Sequence, residues 1–164
     1  MTDAEIYLGS AVMGATAGMR SLAAPAIVSH LAKAGHLPLE HARIGFLGRP
    51  STAKTMAVLA VGEVIADKLP FIPKRTKAPS LIARTVSGAL SGAAIASSKK
   101  RSGILGALLG AAGAIAATYG VYALRKAAGE KLRIPDPIVA VLEDATVAGC
   151  GYLMLSALRA AEEA

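Results

Sequence analysis

The sequence has no tryptophan, a single cysteine and only 4% aromatic residues. Each shortage removes a possibility. Cys150 has no internal disulfide partner, so the fold does not need an oxidising compartment. It lies in an apolar run, where a thiol behaves as a small, inert hydrophobe. With so few rings there is no large aromatic core, and no rings are interleaved with the basic clusters to stack on bases. A net charge of +7 therefore does not point to nucleic acid. Charge is itself scarce, at 18% of residues against about 25% in soluble domains. The first apolar run is preceded by Asp3 and Glu5 rather than by a basic stretch, so no cleavable signal peptide is expected. Period-2 alternation is also absent, which leaves no case for strands.

What is present is apolar. Hydrophobic residues make up 54% of the 164, with a mean hydropathy of +0.51. One soluble core of this size could not bury so many long apolar runs. The pattern predicts an all-α polytopic transmembrane bundle of about five helices in one domain, residues 1–164, with membrane lipid as its main partner. A bilayer core of about 30 Å needs about 20 helical residues. Residues 102–124 meet that length without a charge. Four further spans, 6–31, 52–69, 79–97 and 137–158, come close and are interrupted by charge. Pro25 should bend the first. Pro79 and Pro137 fall where a helix accepts proline, in its first turn.

Glycine is plentiful and patterned. Gly14 with Gly18, Gly88 with Gly92, and Gly106 with Gly110 each place two glycines on one helix face. Such pairs let helix backbones approach closely in lipid, within one chain or between copies in a homo-oligomer. Leu8-Gly9-Ser10-Ala11 and Leu105-Gly106-Ala107-Leu108 open two helices with one helix between them, the arrangement of an inverted repeat. The positive-inside rule does not orient the chain. Eight basic residues (Lys68, Lys74, Arg75, Lys77, Arg125, Lys126, Lys131, Arg133) face eight (Lys33, Arg43, Arg49, Lys54, Lys99, Lys100, Arg101, Arg159) across five spans.

The charges within the spans carry the functional argument. A charged residue near the centre of a spanning helix costs about 2.5–3.5 kcal/mol on insertion scales. Arg20, Glu63, Asp67, Arg84, Glu143 and Asp144 lie inside apolar runs, and Arg125 borders one. Pairing between helices is the economical solution, with Arg20 expected to meet Glu63, and Arg84 or Arg125 to meet Glu143 or Asp144. These pairs either fix helix register or line a polar path or headgroup pocket. Lys68, Lys74, Arg75 and Lys77 form a basic turn that reads as a solvated interface or as a grip on lipid phosphate or an anion.

Other motifs were set against simpler readings. Gly48-Arg49-Pro50-Ser51-Thr52-Ala53-Lys54-Thr55 approximates a phosphate-binding loop but has Ala53 in place of the second glycine, and Pro50 removes a donor. A helix start capped by Ser51 or Thr52 explains it better. His30, His36 and His41 have no cysteine partner or second cluster, so no metal is expected, and no cofactor. No serine has a base and acid nearby, so no catalytic residue stands out.

Gly18-Met19-Arg20-Ser21 with Pro25-Ala26, and Gly62-Glu63-Val64-Ile65-Ala66-Asp67-Lys68-Leu69-Pro70 with Pro73, Arg75 and Thr76, are distinctive. Together with Arg84, Gly88 and Gly92, the glycine-rich run from Gly106 to Gly120 ending in Arg125, and Glu143-Asp144-Ala145, they resemble the domain-of-unknown-function family 4126. The resemblance covers nearly the whole chain. It implies a small multi-pass bacterial membrane protein with no assigned activity, and the expected location is a bacterial inner membrane. The expectation is a small transporter or channel with a buried Arg/acid network; the alternative is a structural or lipid-interacting membrane protein that organises partners.

Overall fold

The computed structural model describes residues 1–39, 44–66, 78–131 and 133–163, and no strand occurs among them. It contains α1 (Asp3–Met19), α2 (Ala23–Lys33), a 3-10 turn (Gly45–Gly48), α3 (Pro50–Ala66), α4 (Ala78–Ser98), α5 (Gly103–Lys131) and α6 (Asp136–Glu163). The all-α class is as expected, and the described residues form six helices where about five were expected. The first expected span, 6–31, is two helices separated at 20–22.

Pro25 explains the break. In a continuous helix its missing N–H would have bonded the Ser21 carbonyl, and its ring would clash with that carbonyl. Ending α1 at Met19 and restarting at Ala23 places Pro25 in the first turn of α2, where the missing donor costs nothing. Arg20 takes an extended conformation (φ −135°, ψ 109°), which turns the chain between the two helices.

The other ends follow local rules. Thr2 and Glu5 form a reciprocal capping box at the start of α1. The hydrogen bond from the Thr2 backbone holds the exposed Glu5 carboxyl below the ordinary carboxylate range. Its small contribution to stability is therefore present above the unfolded pKa and lost as pH falls through the folded one. Helix α3 begins at Pro50, so Ser51 and Thr52 sit inside its first turn and are not the caps expected. Helix α5 runs past Leu124, where the expected span ended, to Lys131. Arg, Lys, Ala and Glu are strong helix formers, so losing apolar character did not end the helix. Helix α4 closes on Lys100 at φ 57°, with Lys100 N–H bonded to Ser97 O and Arg101 N–H to Ala96 O. This left-handed closure usually falls to glycine.

Helices α1, α4 and α5 form the centre, and glycine makes their approach possible. A Cβ on Gly88 would lie 2.6 Å from the Gly110 carbonyl oxygen, and one on Gly14 would lie 2.6 Å from Gly110 Cα. Gly18 faces Ala114 of α5, and Gly92 faces Gly106. All six patterned glycines therefore lie on the contacts among these three helices. Ser10 Oγ ties α1 to α4 through the Gly92 carbonyl at 3.1 Å. Larger side chains, including Ile6, Met13, Leu31, Leu47, Ile95 and Leu158, gather at one end of the bundle. Helix α6 lays Val139, Glu143, Val147, Met154 and Leu158 inward along one seam. Helix α3 packs on α2 and the 3-10 turn.

Helices α5 and α6 are long and apolar enough to cross a membrane, and only 22% of each apolar window is buried. A core helix of a soluble protein would be mostly enclosed. Ile104, Leu108, Leu124, Tyr152 and Leu153 instead point outward, an apolar exposure that water tolerates poorly.

Candidate functional site

Breaking a helix leaves carbonyls unpaired at one new end and N–H groups at the other. At the break between α1 and α2, two side chains of opposite charge satisfy them. Arg84 of α4 donates Nη1 to the carbonyls of Gly18 (2.7 Å) and Met19 (2.8 Å). Glu63 of α3 accepts from the opposite side. Its Oε1 takes the Ser21 N–H (2.8 Å) and the Ser21 hydroxyl (2.7 Å), and its Oε2 takes the Leu22 N–H (2.8 Å). The cation thus sits at the negative end of α1 and the anion at the positive end of α2, each the favoured sign for its dipole. Arg84 Nη2 also lies 3.9 Å from Glu63 Oε1. Both side chains are sheltered, with 4% and 12% of their surfaces exposed. Thr118 of α5 adds a 3.2 Å bond to the Gly18 carbonyl.

The remaining charges clasp α6. Arg20 is buried and sends Nε and Nη2 to Asp144 Oδ1, both at 2.7 Å. Arg125 forms a two-pronged pair with Glu143, Nε to Oε1 at 2.5 Å and Nη2 to Oε2 at 2.9 Å. Consecutive helical residues diverge by about 100°, which lets Glu143 reach α5 while Asp144 reaches the break. The expected pairing of Arg20 with Glu63 is therefore corrected. The extended backbone at Arg20 sends its guanidinium to α6, while the neighbouring N–H groups claim Glu63. Arg84 likewise goes to the α1 carbonyls and Glu63, while Arg125 meets Glu143 as one of the expected pairings had it. Exchanging the charges of Arg20 and Asp144 should recover part of the stability that either single reversal removes. A double-mutant cycle by thermal unfolding in detergent checks this, and purely additive losses would show no coupling.

Asp67, Lys68, Lys74, Arg75 and Lys77 lie outside the described residues, as does His41. His36 contacts Glu162 at 3.1 Å, and no group of three or more metal-ligating side chains occurs among the described residues. The sequence reading missed Ser21, Leu22 and Thr118. Pro25, four residues after Ser21, was the signal that could have located the first two.

The family described as a domain of unknown function, DUF4126, matches the chain over residues 7–159. The chain belongs to that family. No curated protein and no solved structure matches it. Within this DUF4126 chain the matched region contains α2 to α5, the helix break, and both acids that clasp α6.

Proposed function

We propose that this DUF4126 protein is a multi-pass protein of a bacterial inner membrane that moves a small charged solute through a polar site at the α1–α2 break. The observation behind this reading is the break itself, with Arg84 on the exposed carbonyls and Glu63 on the exposed N–H groups. In lipid, irregular backbone is tolerated only where protein or a polar cavity satisfies it. Discontinuous helices whose opposed ends meet charge are a recurrent way to bind solutes and ions at mid-membrane. A chain needing only register could have used apolar packing, because a buried ion pair often contributes no more than its hydrophobic replacement.

Electrical recording on proteoliposomes tests the reading, under gradients of protons, sodium, potassium, chloride and formate. Wild type should carry a current or flux above protein-free vesicles. Glu63→Gln should reduce it at least tenfold while the protein still elutes as a folded species. No signal under any of these gradients would remove transport. It would leave the second reading, a structural protein that binds lipid. An apolar groove of about 490 Å³ between α1 and α6, lined by Leu8, Val12, Leu153 and Ala157, favours that alternative.

A further inference from the structure

We infer that α1 and α2 form a re-entrant hairpin, which enters and leaves the bilayer through one face. Both chain termini then lie on that face, and the polar break is an apex inside the membrane. The inference rests on the membrane reading above and is independent of transport.

The contacts between helices fix the direction of each one. Gly14 faces Gly110 and Gly18 faces Ala114, so residue numbers rise together and α1 runs parallel to α5. Gly88 faces Gly110 while Gly92 faces Gly106, so α4 runs against both. Helix α6 also opposes α1, because Asp144 meets Arg20 while Met154 lies against Gly9. Helix α2 rises with α6, with Ile27 against Gly151 and, just past its end, His36 on Glu162. It therefore returns in the direction from which α1 came. Helix α3 starts near the end of α2, where Gly48 faces Ala32, and carries Glu63 back to the break. The six helices alternate in direction, and Asp3 and Glu163 stand at the same end of the bundle. A first span that crossed once would have put the termini at opposite ends. The parallel run of α1 and α5 also sets aside the inverted repeat expected from their Leu-Gly openings, which requires opposed helices.

The hairpin is too short to reach the far face. Helices α1 and α2 have 17 and 11 residues, about 25 and 16 Å of helix, against a hydrocarbon core of about 30 Å. Helix α5 supplies the scale. Its uncharged stretch from Gly103 to Leu124 is about 33 Å long, and the break lies beside Ala114 and Thr118, roughly 9–15 Å short of Leu124. A turn at an aqueous surface would have its backbone groups satisfied by water. At this depth protein must satisfy them, and Arg84 and Glu63 do so from opposite sides. Residues before the break carry no Lys or Arg, so the eight-to-eight basic balance stands. The hairpin relates the termini to each other without orienting them.

Single cysteines in a Cys150→Ala background test this with a membrane-impermeant maleimide, applied to sealed right-side-out and inside-out vesicles. Ala4→Cys, Lys99→Cys and Glu163→Cys should react from one face, and Glu130→Cys from the other. Leu22→Cys, at the apex, should react at least tenfold more slowly than Glu130→Cys from the latter face. If Leu22→Cys does not accumulate, Ala23→Cys is read in the same way. Ala4→Cys and Glu163→Cys reacting from opposite faces would overturn the hairpin and keep the membrane reading. An apex as reactive as Glu130→Cys would overturn it too, because α1 and α2 would then be two full crossings. Equal reaction of all positions from both faces would remove the membrane reading itself. Flux with the termini on opposite faces would keep transport and reject the hairpin.

Discussion

Replacing Arg84 by methionine should destabilise the protein by about 3–5 kcal/mol, the usual cost of removing one member of a buried ion pair. Two losses combine. The Gly18 and Met19 carbonyls lose the donor that closes α1, and an unsatisfied buried acceptor costs about 1–3 kcal/mol. Glu63 also loses its facing guanidinium. Lysine should recover only part of the loss, because an ammonium cannot reproduce the planar fork that meets two carbonyls while facing Glu63. Adding Glu63→Gln to Arg84→Met should cost less than the sum of the two changes, because it removes the stranded anion. Denaturant unfolding in detergent checks all three. A methionine variant as stable as wild type would show that the guanidinium is not what holds the break.

Gly110→Ala and Gly120→Ala should have opposite signs although both add one methyl group to α5. Gly110 meets both other central helices. A Cβ there would lie 2.9 Å from the Gly88 carbonyl carbon and 3.2 Å from Gly92 Cα. These are backbone atoms and cannot rotate away, so the helices must separate and lose their packing over several turns. Overpacking against adaptable side chains already costs about 1–3 kcal/mol; the loss here should reach or exceed the upper end. A Cβ on Gly120 meets nothing within 4 Å, and alanine should stabilise that turn by up to about 1 kcal/mol through its higher helix propensity. Paired unfolding curves decide the matter, and two variants of equal stability would refute the close packing at Gly110.

Much of the fold was legible because the signals are local. The glycine pairs share helix faces by spacing alone, and all six residues meet at the contacts of α1, α4 and α5. Proline placement marked the starts of α4 and α6 within one residue. The end of α5 was misread because composition changed there while helix propensity did not. The site was legible as a set of residues but not as a set of partners. Arg20, Glu63, Arg84, Arg125, Glu143 and Asp144 stood out as charges in apolar runs. Pairing Arg20 with Glu63 assumed that charges seek charges and left out the backbone. Once Pro25 breaks the helix, free N–H groups are the nearer and better-aligned partners for Glu63.

The sequence by itself determined an all-α chain with apolar helices, glycine faces for their contact and too many ionic groups to leave unpaired. Each of these depends on residue type and spacing along the chain. Only the tertiary structure decided which cation meets which anion, and that Arg84 and Glu63 close two ends of one interrupted helix. Those partnerships join side chains on different helices, some of them more than a hundred positions apart, as with Arg20 and Asp144. Their geometry depends on where the backbone turns at Arg20, a single torsional choice that hydropathy and spacing do not encode.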